Sequence, residues 1–385
     1  MHKLLHICCF VAIAFSLLGT SCNTTQQSNE KALATDTMYY AKGIDIQYFD
    51  NYIKVDIKDP WDSLKIRNSY ILAEKSILKD NPGLKTFLSE KGQLVTIPVN
   101  KAAVYTSVHA SMIEQLGCIE SICGVCEPQY ITSEAIQARI ANGNISDLGL
   151  ATSPNVEKIL EMQTEIIIAS PYENCNYGAA EKLGIPIIEA ADYMEGLSLG
   201  RSEWIKFIGL LFGERAKADS IFADTEASYI NLKNLISSIS DSDKPKVILE
   251  RKYGQSWSVP SGESYIGRLH ADAGADYVYS TINGADSKAL AFETVLDNAK
   301  DADFWLLKYG SANTFSYNDL IKEYLPYSFF DAFEKHHIYV CNTMTTSYYE
   351  DLTLHPDWIL ADLISIYHPQ LLPGYQPRYY FPMAE

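Results

Sequence analysis

The sequence is short of positive charge, of paired cysteines and of catalytic signatures. Its 385 residues carry 31 Lys and Arg against 48 Asp and Glu, a formal net charge of −17. Such a surface repels phosphates, which argues against non-specific nucleic-acid binding. Beyond Cys22 the cysteines are Cys118, Cys123, Cys126, Cys175 and Cys341, an odd set and so a poor disulfide framework. Cys123 and Cys126 form a C-x-x-C that suits redox chemistry or half a zinc site. No second pair or His cluster stands at ligand spacing, so buried thiols are the expectation. The P-loop, GxSxG and HExxH patterns are absent, which weighs against an enzyme. Of the eight histidines, His2 and His6 lie at the N-terminus and the rest scatter; no metal site and no resident cofactor are expected.

Long apolar runs are missing too. The N-terminal stretch Ile7 to Leu18 is shorter than the roughly 20 residues a membrane-spanning helix needs. With Lys3 before it and Gly-Thr-Ser-Cys after it, it reads as a secretory signal over residues 1–21. Cys22 then becomes the lipidated first residue of the mature chain, although Gly19 occupies the place of the usual aliphatic residue. Residues 22–38, polar and rich in Ser, Thr, Asn and Gln, suit a flexible tether. A lipid-anchored protein of the periplasm or cell envelope is therefore expected.

What is present is alternation. Ile44 to Ile57 alternates around Asp50-Asn51, as two strands and a tight turn should, and residues 39–93 are expected to be a small β extension. From Leu94 short apolar runs alternate with helical segments. Strands are expected at Ala102–Thr106, Ile119–Val125, Ile166–Ala169 and Ile185–Glu189. Helices are expected at Ser107–Leu116, with Ser107 as cap, and at Asn155–Met162, with Ser153-Pro154 as cap and first turn. Ser202–Phe212 and a long amphipathic helix, Glu214 to about Ser238, follow. Alternation resumes with strands at Lys246–Glu250, Phe304–Leu307 and Ile338–Cys341 and helices at Ser264–Ala273, Glu293–Ala299 and Pro356–Tyr367. Apolar strands separated by helices imply parallel sheets covered on both faces. The expected architecture is α/β: two Rossmann-like lobes (94–197 and 241–385) joined through a helix pair (198–240) that includes one long interlobe helix.

These residues resemble a known family, the periplasmic substrate-binding proteins of ABC importers for iron complexes, haem and cobalamin. The likeness runs in order from about Leu94 to Pro373 and is carried by AVYTSVHASMIEQLGCIESICGV, SPNVEKILEMQTEIIIAS, the helix pair from WIKFIGLLFGERAKADSIF, KVILE, SGESYIGRLHADAGADYVY and LHPDWILADLISIYHPQLLP. The resemblance implies a monomer that performs no chemistry, closes slightly around its cargo and docks on an ABC permease with its ATPase. A Glu on each lobe grips permease arginines in that family; by motif these are Glu157 in NVEKIL and Glu293 in FETVL, which otherwise read as first-turn acids favoured by the helix dipole.

Ligand contacts are expected on the loops after the strands. The candidates are Ser107 and His109, then Glu127, Gln129 and Tyr130, then Tyr172, Asn174 and Tyr177. In the second lobe they are Arg251, Lys252, Tyr253, Trp257, Tyr309, Thr345, Tyr348 and Tyr349. Aromatic walls suit a bulky flat ligand. Arg251-Lys252 suits the propionates of haem or an anionic ferric siderophore, and His109 or a Tyr is a candidate haem-iron ligand. A corrinoid such as cobalamin, neutral at its edge amides, is the alternative cargo; a redox or metallocluster enzyme on the same scaffold is the alternative of another class.

Overall fold

The computed structural model describes residues 31–385; the expected signal, Cys22 and the first part of the tether lie outside the described residues. The chain adopts the expected two-lobed α/β architecture. In the N-terminal lobe, Ala102–Val104, Ile122–Val125, Ser146–Asp147, Ile166–Ala169 and Ile187–Glu189 form one all-parallel sheet. Counted along the chain, the strand order is 5-4-1-2-3. Every residue of Ala102–Val104 and Ile166–Ala169 is buried, as a sheet covered on both faces requires.

The C-terminal lobe is related but not identical. Lys246–Leu249, Asp276–Tyr277, Phe304–Tyr309 and Ile338–Asn342 are parallel, Phe381–Pro382 closes the edge antiparallel, and the order is 2-1-3-4-5. A separate three-stranded antiparallel sheet, Lys252–Tyr253, Ser256–Pro260 and Ser287–Leu290, branches from the end of the first strand.

Between the lobes runs Arg215–Ile236, 22 residues and about 33 Å long at 1.5 Å per residue. Its Ala218 and Phe222 belong to the N-lobe core and its Tyr229 and Ile236 to the C-lobe core. The helical stretch before it divides into Ser198–Glu203 and Ile205–Phe212, ended by Gly213 at φ 75°. Gly209 lets the two helices cross closely, since a Cβ there would stand 2.6 Å from that of Ala218.

The extension is larger than its sequence suggests. Ile44–Tyr48 and Ile53–Asp59 form the expected hairpin, but the next strand runs the full length of Asp62–Glu74. Ala34–Asp36, expected in the tether, is a strand beside Ile44–Tyr48. Leu94, expected to open the N-terminal lobe, pairs instead with Ile71, because Gln93–Ile97 joins this sheet in parallel. The extension is bonded into the body: the fully buried Glu203 accepts from the backbone of Tyr39, Tyr40 and Ala41, and Tyr70 donates to the Ile187 carbonyl at 2.8 Å.

Local caps differ from expectation where a neighbouring residue makes the better bond. Thr106, not Ser107, caps its helix by accepting from the His109 amide. Asn155 caps Val156–Glu161, while Ser153-Pro154 pairs with Gly149-Leu150 in a two-residue ladder.

Candidate functional site

In open α/β sheets ligands settle at the carboxyl ends of the strands, where the strand order reverses. The N-lobe reversal lies between Ala102–Val104 and Ile166–Ala169, the C-lobe reversal between Lys246–Leu249 and Phe304–Tyr309. The C-lobe reversal brings Glu250 and Arg251 beside Lys308 and Tyr309. A cavity of about 310 Å³ there is lined by Arg251, Tyr265, Lys308, Tyr348 and Tyr349 among others. A second, of about 510 Å³, shares Glu250 and Arg251 and adds Lys252, Tyr253 and Tyr327.

Three cations converge here. Arg251 donates to Glu323 at 2.9 Å and to the Lys308 carbonyl at 2.7 Å, with its guanidinium 4.9 Å from the Phe315 ring. The Lys252 ammonium sits 4.1 Å from the Tyr324 ring. Lys308, which the sequence reading passed over, is ion-paired to Glu250 and lies 5.6 Å from the Tyr348 ring. Burial works against its ammonium, but Glu250 and Tyr348 outweigh it and hold the pKa above the ordinary lysine value.

The N-lobe face is different. A cavity of about 450 Å³ bridges the lobes, with Ser107, Ser111 and Thr132 on one side and Ser347, Glu350 and Asp351 on the other. Glu350 accepts from the amide and hydroxyl of Thr132 at 3.4 and 3.3 Å, and burial raises its carboxyl above the usual range. Tyr130, Tyr172 and Asn174 are exposed on the post-strand loops, with Glu127 half-buried. Tyr177 instead donates to Glu189 at 2.8 Å. Glu127, Asn174 and Glu250 all take positive φ, 49°, 57° and 61°. Such backbone costs energy in non-glycine residues and clusters at functional sites.

Two candidates are used by the fold. His109 is 1% exposed; its Nδ1 lies 2.8 Å from the Thr106 hydroxyl and its Nε2 2.9 Å from Asp192, so neither ring nitrogen is open to a ligand. Trp257 is wholly buried, donates to the Leu249 carbonyl at 2.9 Å and stacks on Trp305. It is core because Ser256–Pro260 folds back over the sheet. Tyr309 packs on Phe315; Tyr348 is buried yet lines the C-lobe cavity.

The lobes are also joined by a polar seam that no local pattern announces. Arg201, buried, donates to Thr353 at 2.9 Å, lies 4.0 Å from Asp192 and stacks 4.3 Å from the Tyr265 ring. Ser202 donates to the Thr353 carbonyl at 2.6 Å. The helix Tyr348–Leu354 is thereby fixed against Ser198–Glu203, and it packs as well on the N-lobe helix Ser107–Gln115. Glu157 and Glu293 each occupy the first turn of a helix and are exposed. The five cysteines among the described residues are unpaired: Cys126 is buried and its thiol pushed up to about 12, chiefly by that burial. Among the described residues no group of His, Cys, Asp and Glu is arranged to hold a metal, and no helix is long and apolar enough to cross a membrane.

Several proteins are similar to this chain. An uncharacterized lipoprotein of Methanocaldococcus jannaschii is 25% identical over 377 residues, covering 93% of this chain and 88% of the relative. A periplasmic heme binding protein from Pseudomonas aeruginosa superposes with a TM-score of 0.57 at 15% identity, covering 74% of this chain and 98% of that one. An ABC-type Fe3+-hydroxamate transport system protein from Saccharomonospora viridis gives a TM-score of 0.54 at 16% identity, over 70% and 94% of the two chains. Residues 102–344 match the family model described as periplasmic binding protein, and the chain belongs to that family of substrate-binding proteins, which work with ABC permeases rather than as enzymes.

Proposed function

We propose that this protein captures an anionic iron complex, a ferric siderophore or haem, between its lobes and delivers it to an ABC permease from a lipid-anchored position in the cell envelope. The observation that carries this reading is the convergence of Arg251, Lys252 and Lys308 with Tyr265, Tyr348 and Tyr349 at the C-lobe strand reversal. Arg251, Lys252 and Lys308 outnumber Glu250 and Glu323 here, and the one positive charge in excess favours an anion, while the rings supply flat apolar area. The names of the haem-binding and hydroxamate-transport neighbours are in keeping with such a cargo. A corrinoid with neutral edge amides gains nothing from Lys308. Purified protein is expected to change the visible absorbance of haemin or a ferric tris-catecholate on titration; tight binding of cyanocobalamin alone would overturn the iron assignment.

Delivery is assigned to Glu157 and Glu293, one exposed carboxylate on each lobe, each suited to a bidentate arginine of the permease. Glu157→Ala and Glu293→Ala should bind cargo normally yet abolish uptake through the cognate permease. Undiminished uptake would remove the docking role.

A further inference from the structure

A cavity of about 370 Å³ stands apart from the strand-reversal sites, where the extension, the exit of the N-lobe and the C-lobe meet. The extension contributes the segment Tyr40 to Gly43 and the turn from Lys58 to Ser63. The N-lobe contributes Ala191 and Met194 to Leu197, which follow its last strand. Arg268, on the helix Tyr265–Asp272, comes from the C-lobe. Pro60, Ala191, Met194 and Leu197 make much of the wall apolar.

The charges on this wall are unevenly committed. Its two carboxylates are spoken for. Glu195 accepts from the amides of Lys42 and Gly43 and from the Trp204 indole at 2.9 to 3.0 Å. Asp59 accepts from the amides of Trp61 and Asp62 and lies 4.0 Å from Arg67. Its cations are held mainly by carbonyl oxygens: Lys42 donates to Tyr39, Lys58 to Lys42 and Arg268 to Glu263, at 2.9 to 3.0 Å. Lys58 has one carboxylate, Asp45 at 3.1 Å; Lys42 and Arg268 have none among the described residues. Counted whole, the wall carries three cations against two carboxylates, a small local excess of positive charge in a chain of net charge −17.

We propose that this cavity is a second ligand site, separate from the cargo site, for a small amphipathic monoanion: an apolar body carrying one carboxylate or sulfonate. The apolar body replaces water against Pro60, Met194 and Leu197, and the head group takes charge-assisted hydrogen bonds from Lys42 and Arg268. The volume lies at the small end of ligand pockets, which run from about 300 to 1,000 Å³. An occupant would tie the C-lobe's Arg268 to the extension, whose Tyr40 already packs against the C-lobe core.

The test is a fluorescence titration of the mature chain with 1-anilinonaphthalene-8-sulfonate. One class of site is expected. The uncharged N-phenyl-1-naphthylamine should bind about tenfold more weakly. Lys42→Gln with Arg268→Gln, both exposed and so harmless to folding, should weaken the sulfonate about tenfold while leaving the uncharged probe unchanged. Met194→Trp should abolish both by filling the space, its melting temperature confirming a folded chain. A saturating colourless gallium tris-catecholate should leave the probe bound. Equal affinity for the two probes, no effect of the double substitution, or displacement by the gallium complex would each overturn the proposal.

Discussion

The two lobes present unlike faces and are built from unlike cores. The N-lobe sheet is aliphatic, with Ala103, Val104, Ile166, Ile167 and Ile168 all buried. The C-lobe core adds an aromatic cluster, with Trp257 stacked on both Trp305 and Phe292 and with Tyr327 edge-on and Phe330 tilted against it. Across the gap, the N-lobe offers hydroxyls and meets Glu350 and Asp351, whereas the C-lobe strand reversal offers cations and tyrosines. Strand order explains part of this. Orders 5-4-1-2-3 and 2-1-3-4-5 reverse at different neighbours of the first strand, so Lys308 arrives beside Glu250 in one lobe and has no counterpart in the other. The cations are concentrated in one lobe's cavity and the hydroxyls in the other's.

This contrast can be broken most forcefully in the cores. Trp257→Ala should cost about 3–5 kcal/mol in urea unfolding, whereas Ile168→Val in the N-lobe should cost about 1 kcal/mol. Next comes the cation face. Lys308→Met should lower affinity for an anionic ferric complex about 100-fold, since truncating one partner of a buried charge pair costs about 2–5 kcal/mol. Ser107→Ala, on the opposite face, should lose less than about tenfold; equal losses would erase the asymmetry.

Smaller still, taken per pH unit, is the acid limb. Burial lowers the His270 pKa to about 3, with its ring 2.7 Å from the Tyr367 hydroxyl. The unfolded chain takes up this proton below about pH 6.5, and the folded chain does not until about pH 3. The group's contribution to stability is therefore intact above pH 6.5 and declines by about 1.4 kcal/mol per pH unit as pH falls between those values. His270→Gln should flatten an acid unfolding profile by about one proton. The smallest effect belongs to Tyr253, 93% exposed: Tyr253→Ala should shift stability by no more than about 0.5 kcal/mol.

How much was legible follows from the range of the interactions. Ile166–Ala169 and Pro356–Tyr367 have the bounds expected from sequence, because a doubly buried strand and a proline-started helix declare themselves locally. Ser264, expected as the first residue of its helix, is instead the cap of Tyr265–Asp272. The antiparallel branch of Ser256–Pro260 with Ser287–Leu290 was missed, since its pairing is non-local and its strands are short and partly polar. The same branch moved Trp257 from cleft wall to core. Lys308 looks locally like a solvated strand-end lysine, because its partner Glu250 stands 58 positions away. Arg201 meets Thr353 across 152 positions, beyond any periodicity. His109 lies in the first turn of its helix, where Asp192, from a short helical turn 83 positions away, claims its ring.

The Arg215–Ile236 helix has one more implication. Phe222 and Tyr229, about two turns apart, are anchored in different cores. A bend between them would disturb the packing of one ring or the other, so this stretch of helix sets the spacing of the lobes. A permease gripping both lobes would meet nearly the same span on empty and loaded protein. Its cue to open would have to be the texture of the gap's lip, the side chains and loops that settle around a bound molecule, rather than a change in reach.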